Sequence, residues 1–482
     1  MLARLATTTW LAAGRGRARR FHDAFADPAG VQWHWLQRRL RADTDSAFGR
    51  AYAFSGIRTY ADFARRVPLT TWEDTARWVA RIQRGERRVL TTDAVSHLVP
   101  TSGSTGARKL IPFTRTLGRA FDAAVAAWLR DLAQQRPDIT HGPAYWAISP
   151  LAESGDDADS AVPVGFADDA SYLGGARAWL VRQALAVPAS ARLVPDEQAF
   201  WGLTALALLR CRNLRLISIW HPSFLELLVE AATASWPELL DAIAHGTNPW
   251  LDAVPSPSRR EWRARRDPAR AAELRRLGSG DWPRWWPWLS VVSCWGEQAA
   301  EGGWRRLASR LPSVLVQRKG LLATEAVVTI PIGDVFPLAV TSHFFEFLDG
   351  AGEIRRAHEL EPGRQYEVIV TNGGGLWRYR LGDVVECTGH LAATPTLRFL
   401  GRVGVVSDLR GEKLAEPFVA EALRSLWEGE MPEVATLRAY EQHGQAGYEL
   451  LVSGDRAGEP DELALRLDRA LQANPHYALA RR

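Results

Sequence analysis

A run of small residues between two apolar segments is the feature that most constrains how this chain folds. The run, TSGSTGARK, occupies residues 101–109, with SHLVP before it and LIPF after it. Such a run cannot pack a core, but it can turn tightly and direct backbone N–H groups, hydroxyls and one ammonium at an anion. The flanking segments predict strands, so we interpret residues 101–109 as a candidate phosphate loop. It lacks the G-x-x-x-x-G-K-[ST] spacing of a Walker A loop, and a flexible Ser/Gly linker is the alternative interpretation.

Lysine is nearly absent from the chain, and its few positions are informative. Of 59 lysine and arginine residues, only Lys109, Lys319 and Lys413 are lysines. An ammonium is a compact point charge and a guanidinium is a planar fork, so a site that needs one ammonium at a phosphate oxygen does not accept arginine. Lys109 ends the phosphate loop and Lys413 lies in a Gly-Glu-Lys stretch, so both are candidate phosphate contacts. Lys319 belongs to no such motif, and we expect a structural role for it.

Composition narrows the class of protein. A hydrophobic content of 46% with 24% charged residues is typical of a globular chain, and 482 residues suffice for a large domain with a smaller companion. The formal net charge of +4 gives no reason to expect nucleic-acid binding. Cys211, Cys294 and Cys387 match no disulfide or zinc spacing, which favours a reducing, cytoplasmic location. No apolar run reaches the roughly 18 residues of a membrane span, and we interpret the N-terminal residues as a helix of the mature protein.

Alternating helical and strand patterns predict an α/β fold class. Helical periodicity covers residues 1–82, 117–132 and much of 176–245. Short apolar runs are typical of buried parallel strands, and they lie at 144–150, 214–220, 289–295 and 314–316. In open parallel sheets ligands bind outside the carboxyl ends of the strands, so the residues that follow such runs are candidates for a ligand site.

The last third of the chain has a different pattern. From residue 326 to 400 the alternation of apolar and polar residues has a period of two, with glycine-rich turns at 350–352 and 373–375. This pattern predicts a β-rich, barrel-like subdomain. After Arg402 the composition changes to a small α+β pattern. We therefore predict an N-terminal domain of residues 1–402 and a C-terminal domain of residues 403–482.

Several short motifs occur in an order that points to a family. After the phosphate loop come Thr324-Glu325, YRLGD (379–383), Gly401-Arg402 and GEK (411–413). Each is weak alone, but together they resemble the adenylate-forming superfamily. The stretches that resemble its GH3 acyl-acid amido synthetases are VPLTTWED (67–74), RIQRGERRVL (81–90), DPARAAELRR (267–276), GLLATEA (320–326), WRYRLGDVVE (377–386), FLGRVG (399–404), GEKLAE (411–416) and NPHYALAR (474–481). The resemblance covers nearly the whole chain from about residue 33.

The resemblance implies a large N-terminal adenylate-forming domain with parallel sheets and a β-barrel-like subdomain, and a small, mobile α+β C-terminal lid. The residues expected to bind the β- and γ-phosphates of ATP are Thr101, Ser102, Gly103, Ser104, Thr105, Gly106 and Lys109. Thr324 and Glu325 would lie by the α-phosphate, and Glu325 would also hold Mg²⁺. Asp383 would accept the ribose hydroxyls, because a carboxylate is a natural acceptor for a diol. Arg402 would lie at the hinge and contact the ribose, and Lys413 would reach the transferring phosphoryl group from the lid.

The implied activity uses ATP and Mg²⁺. A small carboxylic acid attacks the α-phosphorus, pyrophosphate leaves, and the amine of an amino acid converts the acyl-adenylate to an amide and AMP. Lys109, Glu325 and Lys413 would be the catalytic residues, because an anion attacking a polyanion builds up charge that must be offset. The tryptophan and phenylalanine content favours an aromatic or apolar acid. We expect a cytoplasmic monomer that contacts neither nucleic acid nor membrane.

Two other interpretations stay open. An acid–thiol ligase that makes a CoA thioester shares the phosphate loop, although the GH3-type stretches argue against it. A nucleotide-binding relative that has lost catalysis is the second, because the chain ends at Arg482, where family members usually continue, and we expect a shortened lid. In Ala323-Thr324-Glu325, threonine replaces the serine of the commoner Ser-Ser-Glu motif but keeps the hydroxyl.

Overall fold

The computed structural model describes residues 2–101, 109–147, 160–165, 182–263, 265–403, 406–407, 414–427, 431–432, 434–442, 445–453, 459–474 and 477–478. Within these residues the fold is mixed α/β, with one parallel sheet and several antiparallel sheets. This confirms the predicted fold class. Residues 102–108 of the phosphate loop and Lys413 lie outside the described residues.

Helices dominate the first part of the chain, as their periodicity predicted. They are α1 (Leu2–Asp23), α2 (Pro28–Ala42), α3 (Ala47–Ala51), α4 (Tyr60–Arg66), α5 (Trp72–Gln83) and α6 (Arg115–Gln135). Helix α5 begins with a capping box, in which the Thr71 backbone N–H donates to the Asp74 carboxylate at 3.0 Å. In the described part of the chain, no helix combines the length and apolarity that a membrane crossing requires.

Two strands flank the phosphate loop. Strand β1 (Val95–Thr101) pairs antiparallel with β2 (Lys109–Thr114), and Thr101 lies opposite Lys109 in the register. The prediction of a loop tied between two strands is therefore confirmed at its stem. Because the stem is paired up to its last residues, the two ends of the loop are held side by side.

Four buried strands form the parallel sheet, at the positions of the four apolar runs. In spatial order they are β3 (Ala144–Trp146), β4 (Leu216–Ser218), β5 (Val291–Cys294) and β6 (Leu315–Arg318). The helices between β3 and β6 in the described residues are α7 (Glu197–Arg210), α8 (Pro222–Ala234), α9 (Trp236–His245), α10 (Pro268–Leu277) and α11 (Glu301–Arg310). Trp285 and Trp286, from the tryptophan-rich stretch before β5, are buried in the core that these elements share.

A five-stranded antiparallel sheet occupies the region of period-two alternation. Its strands are β7 (Phe344–Asp349), β8 (Ile354–Arg356), β9 (Gln365–Thr371), β10 (Tyr379–Leu391) and β11 (Thr394–Arg402). Their spatial order is β11, β10, β9, β7, β8. Buried and partly exposed residues alternate along the first half of β10, because successive side chains of a strand point to opposite faces.

The described residues after Arg402 form a small α+β unit. It contains β12 (Val406–Ser407), β13 (Leu414–Ala415), α12 (Glu416–Arg424), β14 (Ala435–Gln442), β15 (Gln445–Val452) and α13 (Pro460–Leu471). Leucines of α12 and α13, including Leu423, Leu463 and Leu467, pack together in a hydrophobic cluster of this unit. The α+β character agrees with the sequence, whereas the boundary at residue 402 stays a prediction.

Candidate active site

Thr324 and Glu325 occupy the tip of a tight turn that follows β6. The turn is closed by two hydrogen bonds, because the Ala323 N–H donates to the Ala326 carbonyl at 2.9 Å and the Ala326 N–H donates to the Ala323 carbonyl at 3.2 Å. The side-chain amide of Asn372 donates to the Glu325 carbonyl at 2.7 Å. These bonds fix the backbone that carries one hydroxyl and one carboxylate.

The Glu325 carboxyl is buried without a direct cationic partner. Glu325 is 7% exposed, and no basic side chain of the described residues forms an ion pair with it. Burial raises the pKa of this carboxyl above its usual value, while the charges of Arg402 and Lys109 act in the opposite direction. A buried carboxylate with cations near it, but none paired to it, can accept a further positive charge.

Asp383 and Arg402 face each other across the antiparallel strands β10 and β11. Arg402 Nε lies 3.0 Å from Asp383 Oδ1, and Arg402 Nη2 donates to the Leu381 carbonyl at 3.1 Å. Gly382, with a φ of +78°, lies where the register of β10 shifts. Burial raises the pKa of Asp383 to about 6, partly offset by Arg402 and reinforced by the negative charge of Glu325.

Two residues of this site were missed by the sequence analysis, namely Tyr379 and Glu73. Burial raises the pKa of the Tyr379 phenol, and the charges of Glu325 and Glu73 raise it further. Glu73 lies in the first turn of α5, where a hydrogen bond from Thr71 lowers the pKa of its carboxyl and Lys109 contributes in the same direction. Both residues lie in stretches that carried the family resemblance, which is the signal that could have identified them.

These residues form one group, which we call the polar cluster: Glu73, Lys109, Glu325, Tyr379, Asp383 and Arg402. Charges within the cluster shift the pKa values of Glu325, Tyr379 and Asp383. Side chains that are far apart in sequence therefore lie close together. Of the other predicted site residues, Thr101 lies at the stem of the phosphate loop and Thr324 lies beside Glu325. Ser102, Gly103, Ser104, Thr105, Gly106 and Lys413 lie outside the described residues, and their roles stay predictions.

A cavity of about 410 Å³ reaches Thr324 from the side of the parallel sheet. Helix α6 contributes one face to its wall, through Phe121, Ala124, Val125 and Trp128. Trp146, Ser218 and Trp220 lie at the carboxyl ends of β3 and β4, and Lys319 follows β6. We call this space the aromatic cavity. Among the described residues that line it, Lys319 is the one charged side chain.

Comparison with known proteins identifies the class to which this fold and site belong. A model of the GH3 family N-terminal domain matches residues 17–313, and a model of the GH3 family central domain matches residues 336–402. The chain belongs to the GH3 family.

Similar sequences and structures agree with this assignment. A probable indole-3-acetic acid-amido synthetase of Oryza sativa subsp. japonica is 24% identical, over 96% of this chain and 86% of that protein. A jasmonoyl–L-amino acid synthetase of the same organism is 33% identical, but over only 27% of this chain and 22% of that protein. The solved structure of the AtGH3.15 acyl acid amido synthetase in complex with 2,4-DB matches with a TM-score of 0.81 at 20% identity, covering 95% of this chain and 85% of that one. The structural likeness shows the fold.

Proposed function

We propose that this protein is an ATP-dependent ligase that joins a carboxylic acid to an amino acid through an acyl-adenylate. The main observation behind the proposal is that the polar cluster and the aromatic cavity meet at Thr324. On one side lies the polar cluster, whose groups suit a nucleotide and its phosphates. On the other side lies the aromatic cavity, whose volume falls in the range of small-molecule sites. The names of the relatives, which are amido synthetases of acids and amino acids, support the same reaction.

The nucleotide would bind along the polar cluster. Asp383 offers a carboxylate, ionised at neutral pH, to the ribose hydroxyls, and Arg402 holds that carboxylate in place at 3.0 Å. Lys109, at the stem of the phosphate loop, offers its ammonium to the phosphates. The loop residues 102–106 would add backbone N–H groups and hydroxyls.

Mg²⁺ fits the residues present. Glu325 supplies a buried carboxylate oxygen that lacks an ion-pair partner in the described residues, and Mg²⁺ is commonly held by one or two carboxylates together with substrate phosphates. The described residues contain no group of three or more acidic, histidine or cysteine side chains that could hold a metal without such help. The bound ion supplies charge neutralisation at the phosphate oxygens.

In the first step a carboxylate oxygen of the acid attacks the α-phosphorus, and the bond to the bridging oxygen of pyrophosphate breaks. Two anions approach each other, so the chain must offset their repulsion. Lys109 does this from the stem of the phosphate loop, and Lys413 does it from the lid. Thr324, at the border of the aromatic cavity, would donate its hydroxyl to an α-phosphate oxygen.

In the second step the amine of the amino acid attacks the acyl carbonyl, AMP leaves with the electron pair of the broken C–O bond, and the amine gives up a proton. The aromatic cavity would hold the acyl group through both steps and keep water from the mixed anhydride. The chain needs no covalent nucleophile of its own.

We also propose that residues 403–482 act as a lid that moves about Arg402. Two observations support this division. The described residues of the lid have their own leucine cluster, and Arg424 of α12 donates one hydrogen bond, at 3.2 Å, to Gln298 of the N-terminal part. A contact of this kind is easily exchanged when a lid changes orientation.

We further propose a cytoplasmic monomer. The three cysteines are free thiols, two of them buried, which suits a reducing compartment. Size-exclusion chromatography with light scattering tests the monomer.

The direct test is pyrophosphate release from ATP and Mg²⁺ across a panel of apolar and aromatic carboxylic acids, with and without mixed amino acids. We expect release that depends on the acid, and an amide product detected by mass spectrometry. A thioester formed when CoA replaces the amino acids would favour the acid–thiol ligase instead. ATP binding without release for any acid would contradict the proposal and favour a relative without catalysis.

A further inference from the structure

The aromatic cavity contains one ammonium that the proposed mechanism does not use. Lys319 lies directly after β6, at the carboxyl edge of the parallel sheet, where open α/β sheets bind their ligands. Its Nζ donates to Ser218 Oγ at 2.6 Å, at the end of the neighbouring strand β4. An ammonium has three donors, and this is its one hydrogen bond to a described residue.

Two tryptophans hold this ammonium over their ring faces. Nζ lies 5.3 Å from the ring centroid of Trp128 on α6 and 5.5 Å from that of Trp220. Trp128 is itself fixed, because its indole N–H donates to Gln317 Oε1 at 2.7 Å. The ring faces stabilise a cation without neutralising it. Lys319 is therefore oriented and partly buried by its surroundings, but it forms no ion pair with any residue that the structure describes.

Within the described residues, no carboxylate compensates this charge. The described residues that line the aromatic cavity include no aspartate or glutamate, and Lys319 forms no ion pair with a described residue. Removing an ammonium from water is costly unless an anion or several acceptors replace the water. Only three of the chain's 59 lysine and arginine residues are lysines, and Lys319 is one of them.

We propose that Lys319 is the anchor for the carboxylate of the substrate in the aromatic cavity. This inference rests on the proposed function, and it names the residue that orients the acid in the same site. The ammonium would pair with the carboxylate at the cavity wall, and the indole rings and α6 would enclose the apolar group. The carboxylate would then face the Thr324 end of the cavity, where the α-phosphate of ATP is expected.

The electrostatics of the cavity support this role. Burial lowers the pKa of Lys319 to about 8, so the ammonium prevails at neutral pH and is lost as the pH rises through about 8. The other titratable group that acts on it is Cys294 of β5, whose thiol stays neutral because burial raises its pKa to about 12. The remaining neighbours, Ser218, Trp128 and Trp220, do not titrate in this range. A bound carboxylate would stabilise the ammonium and raise its pKa.

The test compares an acid with its neutral analogue. By titration calorimetry, the full-length protein is titrated with 2-naphthylacetate, phenylacetate and cyclohexylacetate, and with the three matching primary amides. We expect each acid to bind about 10- to 100-fold more tightly than its amide, as a charge-assisted hydrogen bond requires. The preference for the acid should decrease above pH 8. Lys319→Met keeps the length and apolar volume of the side chain, and it should abolish both the preference and its pH dependence.

Arg318→Met is the matched control. Arg318 precedes Lys319, but it stacks on Trp304 and pairs with Glu301, so its removal should leave the preference for the acid unchanged. Thermal unfolding gives a second readout. A partly buried ammonium without an ion-pair partner among the described residues adds little stability, so Lys319→Met should melt no lower than the wild-type protein.

The outcomes separate this inference from the proposed function. Equal preference for the acid in wild-type protein and Lys319→Met, together with a lower melting temperature of the variant, would show a structural lysine and overturn the inference. Acid-dependent pyrophosphate release would in that case still support the ligase. If the wild-type protein binds none of the acids and releases no pyrophosphate, both proposals are wrong.

Discussion

The polar cluster and the aromatic cavity meet at Thr324, but they are assembled in different ways. Each member of the polar cluster belongs to a short motif, and Tyr379 and Asp383 belong to the same one, YRLGD (379–383). The aromatic cavity takes its wall from α6, the ends of β3 and β4, and the segment from Lys319 to Pro331. Phosphates and ribose are the same in every ATP, so the residues that bind them can form fixed motifs. An acid differs from one ligase to the next, and its site is built from side chains distributed over the fold.

The two regions also differ in the number and arrangement of their charged side chains. In the polar cluster, cations and anions lie close together, and the charge of Arg402 lowers the pKa of Asp383 against the larger effect of burial. In the aromatic cavity, Lys319 is the one charged side chain among the described lining residues, and its ammonium lies over two ring faces. The first region is therefore suited to a ligand that carries several charges, and the second to a ligand that carries one. If this division is correct, substitutions in one region should leave the binding step of the other unchanged.

The largest effect is expected for Glu325→Gln. Glutamine keeps the shape of the buried side chain but removes the negative charge that would hold Mg²⁺. We expect acid-dependent pyrophosphate release to fall by roughly two orders of magnitude or more, while the calorimetric affinity for the acid stays the same.

The control for this substitution is Glu386→Gln. Glu386 lies on β10, as Asp383 does, and its partly exposed carboxylate forms an ion pair with Arg398. Glu386→Gln should leave pyrophosphate release unchanged. An equal loss of acid binding in Glu325→Gln would show that the two regions are not separate.

A smaller effect is expected when the cavity is narrowed. Val125 lies on the α6 face that lines the cavity, and Val125→Phe would place a ring in the space of the acyl group. We expect the KM for 2-naphthylacetate to rise about tenfold or more, and that for phenylacetate to rise less, because pockets discriminate by the volume that remains. The KM for ATP should not change.

The control is Val434→Phe, at a half-exposed position of the lid. If Val125→Phe raises the KM for ATP and spares the acids, the cavity does not bind the acyl group.

The difference between the two regions explains how far the sequence could be interpreted. The parallel strands were predictable because strands buried on both faces read as apolar runs, although the run at 289–295 is longer than the observed strand Val291–Cys294. Period-two alternation likewise predicted the antiparallel sheet. In the polar cluster, Lys109, Glu325, Asp383 and Arg402 could be proposed as site residues because each belongs to a short stretch with a recognisable pattern.

The cavity was not predictable in the same way. Lys319 follows an ordinary strand, and its hydrogen-bond partner Ser218 lies 101 residues earlier in the chain. Trp128 belongs to α6, where apolar residues at helical spacing predict packing in the hydrophobic core. No window of sequence contains all three, so only the folded chain shows that they share one wall. For Lys319 the sequence therefore favoured a structural role.

A third prediction concerns the ribose contact. Asp383 has a pKa of about 6, set by burial together with Arg402, Glu325 and Glu367. The ionised carboxylate is the acceptor for the ribose hydroxyls, so adenosine binding should weaken as the pH falls through about 6, by roughly tenfold at pH 5 relative to neutral pH. Adenosine is used because it has no phosphate that titrates in this range, and calorimetry measures its affinity.

Two comparisons test the origin of this dependence. Dideoxyadenosine lacks the hydroxyls, and its affinity should not change over the same range. Asp383→Asn should bind adenosine weakly and independently of pH. A pH dependence that persists in Asp383→Asn would assign it to another group.

The smallest effects are expected at Thr324, where the two regions meet. Thr324→Ser keeps the hydroxyl, so pyrophosphate release should stay within about twofold of the wild type. Thr324→Val keeps the shape but removes the hydroxyl, and the loss of one hydrogen bond to the α-phosphate should lower kcat about fivefold. Because the methyl groups of valine also fit the cavity wall, the affinity for the acid should not change. A loss confined to acid affinity would place Thr324 in the aromatic cavity rather than at the phosphate, and would move the border between the two regions toward Glu325.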